Sequence, residues 1–369
     1  MIRLIAVALL ALNFIQPAGA QDIVVGQSVA LSGADADIGR DMRDGAMAVF
    51  NQVNASKTLG HRIQLVTLDN ANNRQRAADN TQQLLGQYRA LVLFGYNSAS
   101  NSLDALPLAV QNEMLFFAPF SGSNRLINQP NVYTIRASYK EEAAKIIEAK
   151  RTVGATKAVI LYYDDEVGHA NYETVASAFT DAGIAKPAGV AVKRGATLTM
   201  AAVSELTKDA PHYVLTTTQY SVLSDLLRLA AQAGTPVSVA ALSFVNPDEL
   251  SESVGAQARG VIVSQVIPAP RAANQVSLPI VKECAEALKE LNGASLNYTS
   301  LESCIAAKAL VVALRHAGPN PTRESILHSM ASFGHVDLGG FILHYSATDH
   351  QGSNWVELTM LSRGNRYVR

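Results

Sequence analysis

The sequence predicts an α/β protein with two lobes, each built on a doubly wound, mostly parallel sheet. Short apolar or β-branched runs alternate with longer segments of helical period, as they do in βα units. The alternation runs from residue 22 and starts again near residue 158. Two consecutive sets of this kind in a chain of 369 residues favour two lobes, although periodicity alone leaves a single barrel open.

The first set predicts four strands and three helices. Strands are expected at 23–31, 62–68, 90–94 and 115–118, with helices at 39–54, 74–87 and 100–112. In the first of these helices the spacing of Met42, Ala46, Val49, Phe50 and Val53 places apolar side chains on one face.

The second set predicts strands at 158–163, 213–217, 237–242 and 261–266, separated by helices at 168–182, 197–208 and 221–233. Three helices then follow one another, at 278–291, 300–316 and 323–333, before a strand at 355–361. Helices that follow a complete second lobe suggest that the chain returns to the first lobe. Several crossings between the lobes would make a hinge.

The first twenty residues have the three parts of an export signal. Arg3 precedes an apolar run at 4–12, and the small residues Ala18-Gly19-Ala20 form a cleavage site. Cleavage after Ala20 would leave a mature chain of 349 residues (369 − 20) in the periplasm. A membrane anchor is the alternative, but about 20 continuous apolar residues are needed to span a bilayer, and Asn13 interrupts this run early.

The charge balance excludes some classes of partner, and the sequence does not decide whether the two cysteines are paired. The 30 Lys and Arg residues balance 31 Asp and Glu residues, so no nucleic-acid surface or charged disordered tail is indicated. The two cysteines, Cys284 and Cys304, both lie in apolar helical patterns. An oxidising compartment would permit a disulfide between them, and two buried thiols are the alternative.

Two neighbouring strand ends carry the groups expected of an anion site. Residues 94–101 include Tyr96, Ser98, Ala99 and Ser100, and residues 118–124 include Phe120, Ser121, Gly122 and Ser123. Each segment offers backbone N–H groups and hydroxyls where a strand gives way to a helix, which suits a carboxylate. Ordinary helix capping is the alternative for either segment alone.

The segment 138–142 predicts a helix start beside the same cleft. Ser138 and Glu141 fit a capping box. Tyr139 and Glu142 remain free to face the cleft, Glu142 as a partner for a ligand ammonium group and Tyr139 as a wall. A solvated acid and a core tyrosine are the alternatives.

No catalytic or metal-binding motif is present. The sequence contains no GxxxxGK[ST] or HExxH run, and Gly26-Gln27-Ser28-Val29-Ala30 lies inside a strand rather than at a strand-to-helix turn. Catalytic residues, a metal and a cofactor are therefore not expected.

Several segments, in order along the chain, resemble the leucine/isoleucine/valine-binding protein family of periplasmic receptors with the type I fold. They include Gly26-Gln-Ser-Val-Ala-Leu-Ser-Gly33, Phe94-Gly-Tyr96, Ala118-Pro-Phe-Ser-Gly122, Ile135-Arg-Ala-Ser-Tyr139, Ser243-Phe-Val245, residues 260–266, 300–302 and 305–307, and Asp349-His-Gln-Gly352. The resemblance implies three crossovers at the hinge. It places residues 21–137 plus 268–342 in the N-terminal lobe and 138–267 plus 343–369 in the C-terminal lobe.

The resemblance also implies which segments bind the ligand. Segments 98–100 and 121–123 would hold a carboxylate, and segments 139–142, 165–168, 218–220 and 243–244 would contribute from the opposite lobe. The predicted binding residues are Tyr96, Ser98, Ala99, Ser100, Phe120, Ser121, Gly122, Ser123, Tyr139, Glu142, Gln219, Tyr220, Ser243 and Phe244. Ile38 and Val167 stand where branched-chain amino-acid binders often have aromatic residues, so leucine is not implied. Cys304 likewise replaces an expected aromatic residue, a departure that would be explained by pairing with Cys284.

The function implied is that of a monomeric, non-enzymatic periplasmic receptor. It would capture a small amino-acid-like or other carboxylated solute by lobe closure and deliver it to the permease of an ATP-binding-cassette importer. A sensor of the same fold acting on a separate signalling partner is an alternative. An α/β enzyme acting on amino acids or amides is a second one, and it would need a nucleophile and a base that these motifs do not supply.

Overall fold

The structure, a computed structural model, describes residues 22–33, 35–127, 129–271, 277–362 and 367–368. The predicted export signal at 1–20 lies outside the described residues. Among those that are described, no helix combines the length and the apolar character needed to cross a membrane.

The first sheet has five parallel strands in the order β2-β1-β3-β4-β5. Its strands are β1 (Ile23–Val29), β2 (Ile63–Asp69), β3 (Val92–Phe94), β4 (Leu115–Phe117) and β5 (Val132–Tyr133). The helices between them are α1 (Ala36–Ser56), α2 (Arg74–Gly86), α3 (Ala99–Gln111) and the single turn α4 (Asn124–Ile127). The strand order reverses beside β1, which leaves a crevice at the carboxyl ends of the strands.

The second sheet has seven strands in the order β14-β13-β10-β9-β8-β6-β7. Its parallel strands are β6 (Ala158–Tyr163), β7 (Ala188–Val192), β8 (Tyr213–Thr216), β9 (Val239–Ala241) and β10 (Ile262–Gln265). The edge strands β13 (Glu357–Leu361) and β14 (Tyr367–Val368) are antiparallel. The helices are α5 (Tyr139–Thr152), α6 (Glu166–Asp181), α7 (Met200–Thr207), α8 (Tyr220–Gln232) and α9 (Pro247–Val254), which a 3₁₀ turn follows at Gly255–Ala258.

The chain passes between the two sheets three times, after β5, after β10 and before β13. The return brings back α10 (Pro279–Asn292), α11 (Tyr298–His316) and α12 (Arg323–Ala331), then the antiparallel hairpin of β11 (Gly334–Asp337) and β12 (Ile342–Tyr345). Helix α11 packs along α1, and Leu343 and Tyr345 join the core of the first sheet. The predicted fold class, two doubly wound lobes with a three-crossover hinge, is confirmed.

Each sheet is covered on both faces, as a parallel sheet requires. In the first lobe Phe94 and Phe117 face a core shared with α1, α10 and α11, while Leu93 and Phe116 face a second core under α2 and α3. The disulfide between Cys284 and Cys304 joins α10 to α11 within the first of these cores, with Sγ atoms 2.00 Å apart. The bridge therefore fastens together two helices that belong to the returning part of the chain.

In each lobe the helix that follows the first strand begins against the end of that strand. A Cβ atom on Gly39 of α1 would lie 1.8 Å from the carbonyl oxygen of Ala30, and one on Gly168 of α6 would lie 1.9 Å from that of Tyr163. Because no Cβ atom fits at such distances, glycine lets both helices start close to the sheet edge. These two starts bring α1 and α6 to the cleft between the lobes.

The lobes contact each other in the structure. Val29, Ile38 and Phe120 of the first lobe share a hydrophobic cluster with Leu161 and Val214 of the second. Hydrogen bonds from Ser123 to Asn171 and from Asn72 to Gln219 also join the two lobes. The structure therefore represents a closed arrangement of the two lobes.

The predicted elements are present, with additional short ones. The strands β5, β7, β11, β12 and β14 and the helices α4 and α9 were not predicted. In β7 only Val190 is buried, and although its run Ala-Gly-Val-Ala-Val is apolar, the glycine and the two alanines are depleted in strands and weaken the pattern. The other unpredicted strands have two to four residues, too few to show a period.

Candidate ligand-binding cleft

A cavity of ≈ 50 Å³ lies between the lobes, at the carboxyl ends of both sheets. It is lined from the first lobe by Ile38, Asn97, Ser98, Ala99, Ser100 and Phe120, and from the second by Tyr139, Tyr163, Val167, Asn171, Arg194, Thr217, Gln219 and Phe244. A water molecule requires about 10–15 Å³ in this measure, so the closed cavity suits a small solute.

Seven of the fourteen predicted binding residues line this cavity, which leaves seven elsewhere. The lining includes Ser98, Ala99, Ser100, Phe120, Tyr139, Gln219 and Phe244. The seven that lie outside it are Tyr96, Ser121, Gly122, Ser123, Glu142, Tyr220 and Ser243. The two predicted strand ends therefore differ in what they do: the first forms a wall, and the second mainly supports neighbours.

Ser98 holds an uncommon backbone conformation at the cavity wall. It is the N-cap of α3, with φ 69° and ψ 151°, a region that residues other than glycine rarely occupy. Its hydroxyl accepts from the Asn101 N–H at 3.4 Å. This conformation turns the chain so that the first N–H groups of α3, at Ala99 and Ser100, lie beside the cavity without an intrahelical acceptor.

The second strand end positions other groups. The Ser121 hydroxyl lies 3.1 Å from the Tyr139 hydroxyl and accepts from the Ser123 N–H at 3.2 Å. A Cβ atom on Gly122 would lie 2.8 Å from the carbonyl oxygen of Ala137, so only glycine lets the chain pass there. Burial raises the pKa of Tyr139, so this wall stays neutral.

Aromatic rings form the apolar walls. Tyr139 and Phe244 meet edge to face with centroids 5.6 Å apart. Phe120 lies opposite, with the Arg136 guanidinium 4.3 Å from its ring centroid on the side away from solvent, where Arg136 is fully buried. The capping box predicted at Ser138 and Glu141 is confirmed, and it fixes the start of the helix that carries Tyr139.

Glu142 is fully buried inside the second lobe and is not part of the cavity lining. One oxygen accepts from the Ser243 N–H at 2.7 Å and the Ser264 hydroxyl at 2.5 Å, and the other accepts from the Ser243 hydroxyl at 3.0 Å. Burial raises the pKa of Glu142 against the lowering effect of Arg136 and these hydrogen bonds. The structure thus gives Glu142 and Ser243 a place in the support of the hinge region rather than in the lining.

Arg194 is the one cationic side chain among the lining residues that the structure describes. Its Nε donates to Asp165 at 2.8 Å, and its guanidinium stacks 3.8 Å from the ring centroid of Tyr163. Burial by itself would raise the pKa of Asp165, but the hydrogen bonds from Arg194 and from the Gly168 N–H have the larger effect, and the pKa is lowered. Within the part of the chain that the structure describes, Nη1 and Nη2 of Arg194 have no hydrogen-bond partner and remain available to a ligand.

Two amide side chains of the lining are held by the opposite lobe. The Ser123 hydroxyl donates to Oδ1 of Asn171 at 2.9 Å, and the Asn72 amide donates to Oε1 of Gln219 at 3.2 Å. Oε1 of Gln219 also accepts from Tyr163 at 3.2 Å, and burial raises the pKa of this tyrosine to about 12. The amide oxygens are therefore occupied, which leaves the NH₂ ends for the cavity.

Sequence reasoning did not identify Tyr163, Asn171, Arg194 or Thr217 as site residues. Tyr163 ends β6 and Thr217 follows β8, so the rule that ligands lie beyond the carboxyl ends of strands was sufficient to find both. Arg194 follows β7, the strand that the sequence pattern does not reveal. Asn171 lies one turn after Val167 on α6, a position that becomes visible only when the direction of the helix is known.

Comparison with known proteins agrees with this architecture. Residues 22–365 match the model of a family described as periplasmic binding protein. A search of curated proteins found no match.

Solved structures share the fold over nearly the whole chain. A possible leucine/isoleucine/valine-binding protein from Rhodopirellula baltica is 26% identical, with TM-score 0.90 over 96% of this chain and 98% of the other. A substrate-binding periplasmic protein from Ralstonia solanacearum is 26% identical, with TM-score 0.86 over 94% and 99%. A branched-chain amino-acid ABC transporter protein from Thermus thermophilus with bound valine is 17% identical and shares the fold, with TM-score 0.81 over 95% of each chain.

The predicted resemblance to the leucine/isoleucine/valine-binding group is thereby confirmed. The family match covers 344 residues (365 − 22 + 1), most of the chain. The type I fold, the position of the cleft between two lobes and the match along the sequence agree with one another. This chain belongs to the periplasmic binding protein family.

Proposed function

We propose that this protein is a periplasmic receptor that captures a small carboxylated solute by closing its lobes and delivers it to the permease of an ATP-binding-cassette importer. The observation that carries the proposal is the cavity itself. Strand ends from both sheets line it, and cross-lobe bonds at Ser123–Asn171 and Asn72–Gln219 surround it. A solute held there would contact both lobes at once and so favour the closed form.

The proposal includes export and a particular division into lobes. The signal at 1–20 would direct the chain to the periplasm, where a monomer would work with its permease. We assign residues 21–137 and 268–345 to one lobe, and 138–267 with the residues after 345 to the other, instead of the boundary at 342 expected from the sequence. Because Leu343 and Tyr345 pack with the first sheet, we place the third crossing after Tyr345. Two of the similar proteins are a possible leucine/isoleucine/valine-binding protein and a branched-chain amino-acid transporter protein with bound valine, which supports a solute of comparable size.

A ligand search with a matched pair of variants tests the receptor function. Native mass spectrometry of protein isolated from the periplasm would identify a co-purified solute. Thermal-shift assays with amino acids, amides and mono- and dicarboxylates would find those that bind only the folded state. Ala99→Phe places a large ring in the cavity wall and should abolish the stabilisation, whereas Ala201→Phe on the exposed surface of α7 should retain it.

Transport is tested separately in cells. Deleting the gene should abolish uptake of the identified solute, and restoring the wild-type chain, but not Ala99→Phe, should recover it. Unchanged uptake together with a lost transcriptional or enzymatic response would indicate the sensor alternative. A panel in which no compound stabilises the protein, or in which both variants respond equally, would contradict the receptor function.

A further inference from the structure

We propose that the solute is a small monocarboxylate with an apolar body and no ammonium group. The inference rests on the proposed receptor function and narrows it. Three properties of the cavity carry it: the charge of its lining, the character of its unpaired polar atoms, and the helix ends that face it.

Among the described residues, the lining contains one charged side chain, that of Arg194, and no Asp or Glu. Asp165 is bound by Arg194 Nε and the Gly168 N–H, and Glu142 is enclosed by serine residues within its own lobe. Asp35 lines an outer cleft that adjoins the cavity at Arg194. An ammonium group in the cavity would therefore be buried beside a guanidinium with no carboxylate among the described lining residues to pair with it, an arrangement that proteins avoid.

Among the described residues that line the cavity, the unpaired side-chain atoms are almost all donors, although Oδ1 of Asp35 and Oδ1 of Asn101, outside the lining, are unpaired acceptors. Nη1 and Nη2 of Arg194, Nδ2 of Asn171 and Nε2 of Gln219 have no hydrogen-bond partner among the described residues, whereas the oxygens of both amides are occupied. Ser100 is 3% exposed, and its hydroxyl also lacks a partner within the described ranges. A carboxylate accepts and never donates, so it matches this set, whereas an ammonium group only donates.

Helix ends from both lobes add to the same preference. Helix α3 begins at Ser98–Ala99 in one lobe and α8 begins at Gln219–Tyr220 in the other, and both starts line or adjoin the cavity. Neither helix has an acidic residue in its first turn. Helices α1, α5 and α6 also begin beside the cavity but carry acidic residues in their first turns, so α3 and α8 are the two starts that favour a negative ligand group. Phe120, Tyr139 and Phe244 then surround the apolar body of the solute.

Paired compounds that differ only by the ammonium group test the inference. Isothermal titration calorimetry would compare L-alanine with propanoate, L-valine with 3-methylbutanoate, and L-phenylalanine with 3-phenylpropanoate. In the best-fitting pair the deaminated acid should bind at least about tenfold more tightly, because the amino acid buries an unpaired charged donor. An amino acid that binds equally well or better would overturn the inference and leave the receptor function intact. Failure of all three acids to bind would also overturn it, and the solute identified by mass spectrometry would then show whether the receptor function stands.

Variants separate the anion site from general effects on folding. Arg194→Gln should weaken binding of the best acid by about 10- to 100-fold, since a charge-assisted bond to the carboxylate is lost. Lys193→Gln removes a neighbouring exposed cation and should change the affinity less than about twofold. Gln219→Glu adds an acceptor to the lining and should shift the preference toward the amino acid of the same pair. Equal losses in the Arg194 and Lys193 variants would overturn the assignment of Arg194, and the wild-type titrations remain decisive if a variant does not fold.

Discussion

Replacing Glu302 by Gln should destabilise the closed protein by about 3 kcal/mol, the lower end of the cost of breaking a buried ion pair. Arg136 is fully buried, and its Nε and Nη2 donate to the two oxygens of Glu302 at 2.8 and 2.6 Å. Burial alone would lower the pKa of Arg136, but the carboxylates of Glu302 and Glu142 raise it, so the guanidinium keeps its charge. The lower end applies because Glu142 and one amide oxygen of the new Gln would still attract Arg136.

Urea unfolding of the ligand-free protein at neutral pH measures this cost. The control is Glu173→Gln, because the Glu173–Lys186 pair has a similar 2.7 Å contact but side chains that are 62% and 48% exposed. Exposed pairs contribute about 0–1 kcal/mol. A double variant, Arg136→Met with Glu302→Leu, removes both charges and should cost less than Glu302→Gln alone. A loss of under about 1 kcal/mol for Glu302→Gln, equal to that of the control, would refute the assignment of a buried, interacting pair.

Three further predictions concern stability. Replacing both Cys284 and Cys304 by Ala removes a disulfide between residues 20 positions apart and should lower the free energy of unfolding by about 3 kcal/mol. Denaturant titrations measure this loss, and an unchanged denaturation midpoint would contradict the prediction. Burial, followed by the charges of Asp41, Asp37 and Asp35, raises the pKa of Glu249 from 4.5 to about 8. Between these two pKa values the folded state holds a proton that the unfolded chain releases, so the free energy of unfolding should fall as pH rises from 4.5 to 8. The fall due to this group is at most about 1.4 kcal/mol per pH unit. Glu249→Gln should flatten the measured curve of unfolding free energy against pH. Ser98→Gly relieves the strain of a positive φ, so the protein should be equally stable or about 1 kcal/mol more stable. The same change should weaken ligand binding. A clear drop in melting temperature would show that the conformation of Ser98 carries no strain.

The fold follows from the sequence because its longer elements carry strong periodic patterns. Helix α1 was expected at 39–54 and spans Ala36–Ser56, and strand β6 was expected and found at 158–163. Elements that span only two to four residues leave no such pattern, and β7 leaves a weak one because it contains two alanines and a glycine. The exposed edge strand β7 is the case with functional consequences, because the loop after it carries Arg194.

The site could be predicted only where the chain itself fixes the geometry. Ser98, Ala99 and Ser100 follow a strand and begin a helix, so local rules place them at the cleft. Glu142 was expected to face the cleft because it lies in a first turn, but the direction of its side chain depends on Ser243 and Ser264, which are 101 and 122 residues away. No local pattern contains that information.

Closure and recognition use the same side chains in this protein. Asn171 and Gln219 each place their oxygen against a donor of the opposite lobe, Ser123 and Asn72, and each leaves its NH₂ end in the cavity. In an open form those cross-lobe donors would be absent, so the Asn171 amide could rotate, whereas Gln219 would keep only the bond from Tyr163 of its own lobe. Closing the lobes therefore selects the orientation in which the amides donate. A carboxylate stabilises this donating orientation of the amides, so its binding and the closure of the lobes reinforce each other. A solute that needed acceptors from these amides would oppose closure.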